Sequence, residues 1–129
     1  MASAPRRSRD ELGASAALIE AGFPDQASSR AYYAAFHAAA GALLCLGEAR
    51  SKHSGVLAAF GRRVIKEGGL DPGYGRALRD LFEARNDVDY ALDPASESDA
   101  RETLAQAQHF VTAVEAWIAD KYEAWMSAK

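Results

Sequence analysis

The residues best suited to chemistry in this chain lie in a short polar stretch, Arg85–Tyr90, which reads RNDVDY. Arg85 falls in the middle of an apolar stripe with helical spacing, whose members are Leu78, Leu81, Val88 and Leu92. A guanidinium keeps its charge at every physiological pH and can hold a phosphate through two hydrogen bonds. A permanent cation in an apolar stripe therefore needs either a partner side chain or an anionic ligand.

Two interpretations of Arg85 follow from its helical neighbours. Asp89 lies one turn further along the helix, and Asn86 and Tyr90 share the adjacent flank. In the first interpretation, Arg85 and Asp89 form a structural ion pair that fixes the register of the helix. In the second, this face lines a cleft or a symmetric dimer interface. The helix alone leaves both open.

A second polar face lies on an earlier, alanine-rich helix. Arg30, Tyr33 and His37 are three and four residues apart, so they share one side of that helix. The neighbouring stripe is apolar and is predicted to be core, with the members Tyr32, Phe36, Ala39 and Leu43. His37 is then either a hydrogen-bonded structural residue or a general acid–base group.

The other reactive side chains are scattered along the chain. His53 lies in a loop before the third helix, which it could help to cap, and His109 is predicted to lie on the surface of the last helix. Cys45 follows two leucines and is predicted to be a buried, inert thiol. Their spacing offers no convincing ligand set for a metal, and the glycines form no phosphate-binding loop. We therefore predict no metal and no cofactor.

A basic cluster lies on the third helix, near His53 in the sequence. Arg62, Arg63 and Lys66 either contact phosphates or form an ordinary solvated face. Charged clusters are usually solvated, so the second interpretation is favoured.

Capping residues, prolines and glycines predict the elements that position these groups. A capping box of Ser8 and Glu11 opens the first helix. The predicted helices span about 8–20, 24–46, 54–68, 72–92 and 96–125. The expected stops are Gly22, Gly47, the pair Gly68-Gly69 and the pair Asp93-Pro94. Ser96 or Ser98 is expected to cap the last helix.

The last helix carries the longest apolar stripe. Its members recur at heptad-like spacing: Leu104, Ala107, Val111, Val114, Ile118, Tyr122 and Trp125, widened by Phe110 and Trp117. No segment alternates with the period of a strand. We predict an all-α fold, an antiparallel up-and-down bundle of four to five helices.

Length and composition limit the class of protein. The 129 residues suffice for one domain, over residues 1–129 with a core of about 8–125. No apolar run is long enough to span a membrane, and no secretory signal is recognisable. One cysteine fits a reducing compartment, so we expect a cytoplasmic protein. The net charge of −3 disfavours a general nucleic-acid coat but permits a local basic patch.

Three segments together resemble the HEPN family (higher eukaryotes and prokaryotes nucleotide-binding), in its small stand-alone prokaryotic subgroup. They are SRAYYAAFHAAAGALL at 29–44, SKHSGVLAAFGRRVIKEGGL at 51–70 and LFEARNDVDY at 81–90. The resemblance implies a four-helix up-and-down bundle that forms a homodimer and is encoded beside a minimal nucleotidyltransferase. Many such pairs resemble toxin–antitoxin modules in which the HEPN member is a metal-independent ribonuclease.

The ribonuclease motif of that family is only partly present. It is an Arg, a polar residue and then a His, with four to six residues between the Arg and the His. Arg85 and Asn86 match, whereas the candidate positions for the His hold Tyr90, Ala91 and Leu92. An ordinary tyrosine, with a pKa of about 10, is a poor general acid–base group near neutral pH, whereas histidine at about 6.5 suits that task.

The resemblance and the residues together predict a toxin-like protein that binds a nucleotide or RNA while its ribonuclease motif is degenerate. The expected binding residues are Arg30, Tyr33, His53, Arg85, Asn86, Asp89 and Tyr90. If catalysis persists, Arg85 and His37 are the candidates for it. The alternatives are an active ribonuclease with a displaced histidine, either His37 or His53, and a noncatalytic structural or interaction module. Whether the protein is an enzyme stays open at this point.

Overall fold

A computed structural model describes residues 3–50, 52–90 and 95–128; within these ranges it leaves the side chains of 3–5, 87–90 and 124–128 undescribed. Five α-helices account for most of the described chain: α1 (Ser3–Glu20), α2 (Pro24–Cys45), α3 (His53–Ala59), α4 (Pro72–Tyr90) and α5 (Glu97–Ala128). A π-helix, Phe60–Lys66, continues α3. The predicted all-α bundle is confirmed. None of the described helices is long and apolar enough to cross a membrane.

The predicted glycine stops end three of these helical segments. Gly22, Gly47 and Gly69 adopt φ values of 90°, 77° and 81°, a left-handed conformation that suits glycine because it has no Cβ. The start of α5 is a reciprocal cap, since the amide of Asp99 donates to Ser96 Oγ and the amide of Ser96 donates to the Asp99 carboxylate. Ser96, rather than Ser98, is therefore the capping residue.

The alanine-rich helix α2 lies at the centre of the bundle and packs against every other helix. Its small residues let neighbouring backbones approach closely, and its predicted stripe of Tyr32, Phe36, Ala39 and Leu43 is buried. Leu78 and Leu81 of α4 join the same core. The predicted stripe of α5 is also buried from Leu104 to Trp117, with Phe110, Val111 and Val114 completely enclosed.

Three predictions about residues of α1, α2 and α5 are wrong. Ser8 does not cap α1, because the helix begins at Ser3; Ser8 lies within it, completely buried. Cys45 is exposed rather than buried, since α2 ends there and Leu44 beside it is 50% exposed. Tyr122 is 61% exposed, because α5 extends there beyond the helices that cover its stripe. The predicted stripe members Val88, Leu92 and Trp125 lie outside the described side chains.

Candidate functional site

Arg85 packs against two tyrosines of α2 from its position on α4. Its Nη2 donates a hydrogen bond to the hydroxyl of Tyr33 over 3.2 Å. The guanidinium carbon lies 5.5 Å from the ring centroid of Tyr33 and 5.9 Å from that of Tyr32. Aromatic rings attract a cation through their negative faces, so these rings stabilise a half-buried charge within the apolar stripe.

His53 joins the same tyrosines from the start of α3. Its ring stacks on Phe36, with centroids 4.6 Å apart, and on Tyr32, with centroids 5.5 Å apart. Its Nδ1 lies 2.6 Å from the hydroxyl oxygen of Tyr32. The expectation that His53 helps to cap the third helix is wrong. The N-cap residue is Lys52, for which no side-chain capping hydrogen bond is formed by the described residues, and His53 is the first residue of α3, with its ring packed against Phe36 of α2.

The proton of this hydrogen bond can be assigned from burial. Tyr32 is fully buried, and burial raises the pKa of its phenol far above the ordinary value, so the hydroxyl stays protonated. A buried tyrosine hydroxyl needs an acceptor, and Nδ1 of His53 supplies one. Burial and then the charge of Arg85 lower the pKa of His53, which favours the neutral ring. On this basis we assign the proton of the neutral ring to Nε2, since the tautomer of His53 sets the direction of the hydrogen bond.

Four residues thus form one site, called here the arginine–histidine cluster: Tyr32, Tyr33, His53 and Arg85. The cluster joins α2, α3 and α4 and contains a fixed cation, a neutral imidazole and two phenols. The guanidinium, the Nε2–H of the imidazole and the hydroxyl of Tyr33 are hydrogen-bond donors suited to an anion such as phosphate, whereas the hydroxyl of Tyr32 donates to His53.

Tyr33 also lines a groove between α1 and α2 with a volume of about 450 Å³. The residues that line it are Arg7, Asp10, Glu11, Arg30, Tyr33 and His37. The Arg30 guanidinium is held by Glu11 at 3.1 Å and lies 4.8 Å from the centroid of the Tyr33 ring. Burial, and then the charge of Arg7, lowers the pKa of His37. The charged residues that act on His37 are thus residues that line the groove, namely Arg7, Glu11 and Arg30.

The structure brings together four of the predicted site residues around Tyr33, namely Arg30, His37, His53 and Arg85. Asn86 is half-buried on α4, next to Arg85 in the chain. The side chains of Asp89 and Tyr90 lie outside the described residues, so the predicted Arg85–Asp89 pair stays a prediction. Among the described side chains, no three His, Cys, Asp or Glu residues come together as a metal site would require.

Sequence reasoning missed Tyr32 as a member of the site. Its helical spacing placed it in the core, which is correct, but its hydroxyl also reaches His53. A signal was present, because a tyrosine in a core position needs a hydrogen-bond partner where a phenylalanine does not. The identity of that partner depends on the fold. His53 is on another helix, 21 residues further along the chain.

Residues 3–117 match the HEPN domain. The chain is 35% identical to a "UPF0332 protein" of Thermotoga maritima, over 89% of this chain and 88% of that one. It is 34% identical to "Putative toxin MJ0605" of Methanocaldococcus jannaschii, over 79% of this chain and 76% of that one. It is 33% identical to "UPF0332 protein glr0978" of Gloeobacter violaceus, over 81% and 85%. With a match across nearly the whole described fold, the chain belongs to the HEPN domain family.

Proposed function

We propose that this chain is a toxin-like HEPN protein that binds RNA through the arginine–histidine cluster and has weak or no ribonuclease activity of its own. Two relatives from Methanocaldococcus jannaschii that carry the name "Putative toxin" support the first part. The hydrogen bond between Tyr32 and His53 is the observation that carries the second part.

Arg85 is the main phosphate ligand in this proposal. The guanidinium is a permanent cation, and the hydrogen bond to Tyr33 fixes one of its nitrogens in place. The surrounding rings of Tyr32 and Tyr33 exclude water from part of the group, which strengthens its attraction for an anion. A single-stranded RNA offers both the phosphate for Arg85 and bases that can stack on nearby aromatic rings.

His53 acts in this proposal as a donor and not as a base. A metal-independent ribonuclease needs a group that removes the proton of the attacking 2′-hydroxyl. In neutral His53 the only nitrogen without a proton is Nδ1, and the hydroxyl of Tyr32 already donates to it. The protonated Nε2 can donate to a phosphate oxygen but cannot accept a proton. The ring therefore favours binding over cleavage.

An active ribonuclease is the second candidate, and the shared packing of Arg85 and His53 on Tyr32 favours it. That packing brings together a cation from α4 and a histidine from α3, so that His53 could take the place of the missing motif histidine. For His53 to act as a base, the ring proton must be on Nδ1 instead of Nε2. The hydroxyl of Tyr32 must then rotate so that its oxygen accepts a hydrogen bond from Nδ1–H. His37 is less suited to this role, because the charges that act on it belong to the groove.

The test is RNA binding and RNA cleavage measured together in the presence of EDTA. We expect wild type to bind a fluorescent single-stranded oligomer and to leave it intact for hours. Arg85→Gln should weaken binding at least tenfold, whereas Arg79→Gln, an exposed arginine on the same helix, should not. Equal binding by both variants would contradict the assigned site. Rapid cleavage that His53→Gln abolishes would favour the active ribonuclease instead.

Two partners and a location belong to the proposal, the partners because the family resemblance implies them and the location because a single cysteine fits a reducing compartment. They are a second copy of this chain in a homodimer, a minimal nucleotidyltransferase as the partner protein, and the cytoplasm. Light scattering on the purified protein at micromolar concentration should give the mass of a dimer. A monomer would remove the homodimer from the proposal. Co-expression with a nucleotidyltransferase encoded beside this chain should give a complex that survives gel filtration, and separate elution would count against that partner.

A further inference from the structure

A group of three arginines surrounds a single carboxylate near the end of the bundle where α2 ends. Nitrogens of Arg50, Arg62 and Arg63 lie 3.8, 3.2 and 3.4 Å from the same oxygen, Oε1 of Glu48. We call these four residues the arginine triad with Glu48. One carboxylate neutralises one of the three charges, so positive charge remains in excess there.

The surrounding sequence adds to this excess. Residues 48–67 contain five cations and two carboxylates, a net charge of +3 in a chain whose net charge is −3. Arg50 and Arg62 keep 46% and 50% of their side-chain surface exposed. The only other carboxylate of the segment, Glu67, pairs with Arg63 at 3.2 Å. The segment is thus basic, in a chain that is acidic as a whole.

The backbone helps to place two of these arginines on one side. Arg62 and Arg63 lie in the π-helix, where the amide of Glu67 donates to the carbonyl of Arg62 five residues earlier. The wider turn of a π-helix reduces the angle between consecutive side chains, so Arg62 and Arg63 both reach Glu48. Such helices are rare and are frequent at functional sites.

We propose that the arginine triad with Glu48 is a second contact surface for the phosphate backbone of a single-stranded RNA, whose other phosphates bind at the arginine–histidine cluster. Glu48 holds three like charges together, and an RNA phosphate would balance the remaining excess. The inference rests on the proposed function and extends it by naming an RNA oligomer, rather than a mononucleotide, as the ligand.

The distance between the two sites supports an oligomer. His53 begins the helical segment on which Arg62 and Arg63 lie, nine and ten residues later. That separation is on the order of 13 Å along a helix axis. A mononucleotide at the arginine–histidine cluster would therefore not span the backbone distance to Arg62 and Arg63, whereas a strand of several nucleotides would. Arg50 lies nearer to the cluster, because its side chain packs beside Gly55 at the start of α3.

The experiment compares a labelled 12-nucleotide single-stranded RNA with adenosine monophosphate as ligands of the full-length chain. Arg62→Gln/Arg63→Gln should weaken binding of the 12-mer several-fold and leave the affinity for the mononucleotide unchanged. The plot of log affinity against log salt should become shallower by roughly 0.7 for each lost phosphate contact. Arg62→Lys/Arg63→Lys should restore most of the affinity, because the charge is kept.

The control is Arg9→Gln/Arg101→Gln. Like the triad variant, it removes two positive charges. The two arginines are exposed, are also paired with glutamates and lie elsewhere on the bundle. An equal loss of 12-mer binding in this control would show an effect of net charge alone and overturn the inference. So would unchanged 12-mer binding in the triad variant. If Arg85→Gln leaves both ligands bound while the triad variant releases the 12-mer, the proposed function fails and the triad surface survives.

Discussion

The hydroxyl of Tyr32 lies 2.6 Å from Nδ1 of His53 and ties the middle of α2 to the first residue of α3. The same bond decides what His53 can do chemically, because it occupies the nitrogen that a general base would use. A packing contact and a chemical property therefore depend on one hydroxyl group. Removing it should separate the two effects.

Tyr32→Phe should lower the free energy of unfolding by about 1–2 kcal/mol, because it leaves Nδ1 of a partly buried imidazole without this donor. Denaturant unfolding measures the difference. Tyr122→Phe loses the same hydroxyl from an exposed side chain and should change stability by less than about 0.5 kcal/mol. An unchanged free energy of unfolding in Tyr32→Phe would mean that this hydrogen bond contributes nothing to the fold.

Stability should fall as the pH is lowered through the range in which histidines titrate. Burial lowers the pKa of both His37 and His53, so the unfolded chain binds more protons than the folded one. The stability that depends on these two histidines being neutral is fully present above their unfolded pKa of about 6.5. It is lost as the pH falls through their lower pKa values in the folded chain. Unfolding measured at pH 7.5 and at pH 5 should show the loss, and His53→Gln should reduce it. A His53→Gln profile that matches wild type would contradict this assignment for His53.

Val114→Asp should destabilise the fold by roughly 3 kcal/mol or more, because it places a charge without a partner in the core of α5. Val114 is completely buried, whereas Thr112 on the same helix is exposed. Thr112→Asp is therefore the matched control and should leave the thermal midpoint almost unchanged. Similar midpoints for the two variants would show that the wrong face of α5 was assigned to the core.

Tyr90→His should create or increase ribonuclease activity, because it installs a histidine five positions after Arg85, a spacing that the family motif permits. Cleavage of a labelled RNA in EDTA measures the gain. Arg85→Gln added to the same variant should abolish it. If Tyr90→His binds RNA normally and cleaves no faster than wild type, the missing histidine is not what limits activity.

The sequence predicted the fold well and the site only in part. Glycines such as Gly22 and Gly47 act through their own backbone freedom, so the ends of helices could be read locally. The buried stripe of α5 followed from spacing alone. Contacts between distant residues could not be read in this way, and the bond between Tyr32 and His53 is such a contact.

The errors have the same origin. Cys45 has an apolar neighbourhood in the chain, but its exposure depends on where α2 ends relative to the other helices. Ser8 has the sequence of a cap, yet the residues before it are also helical. In both cases the local pattern was real, and the tertiary structure decided the outcome.

The central claim is that His53 is a hydrogen-bond donor at Nε2 and not a base. Nitrogen-15 NMR of the imidazole side chains at pH 7 tests it, because protonated and unprotonated ring nitrogens have well-separated shifts. His53→Gln identifies the signals of His53 among the three histidines of the chain. We predict a neutral ring with its proton on Nε2 and an unprotonated Nδ1, both before and after RNA is added. A proton on Nδ1 with an unprotonated Nε2 would contradict the account and would make His53 a competent base beside Arg85.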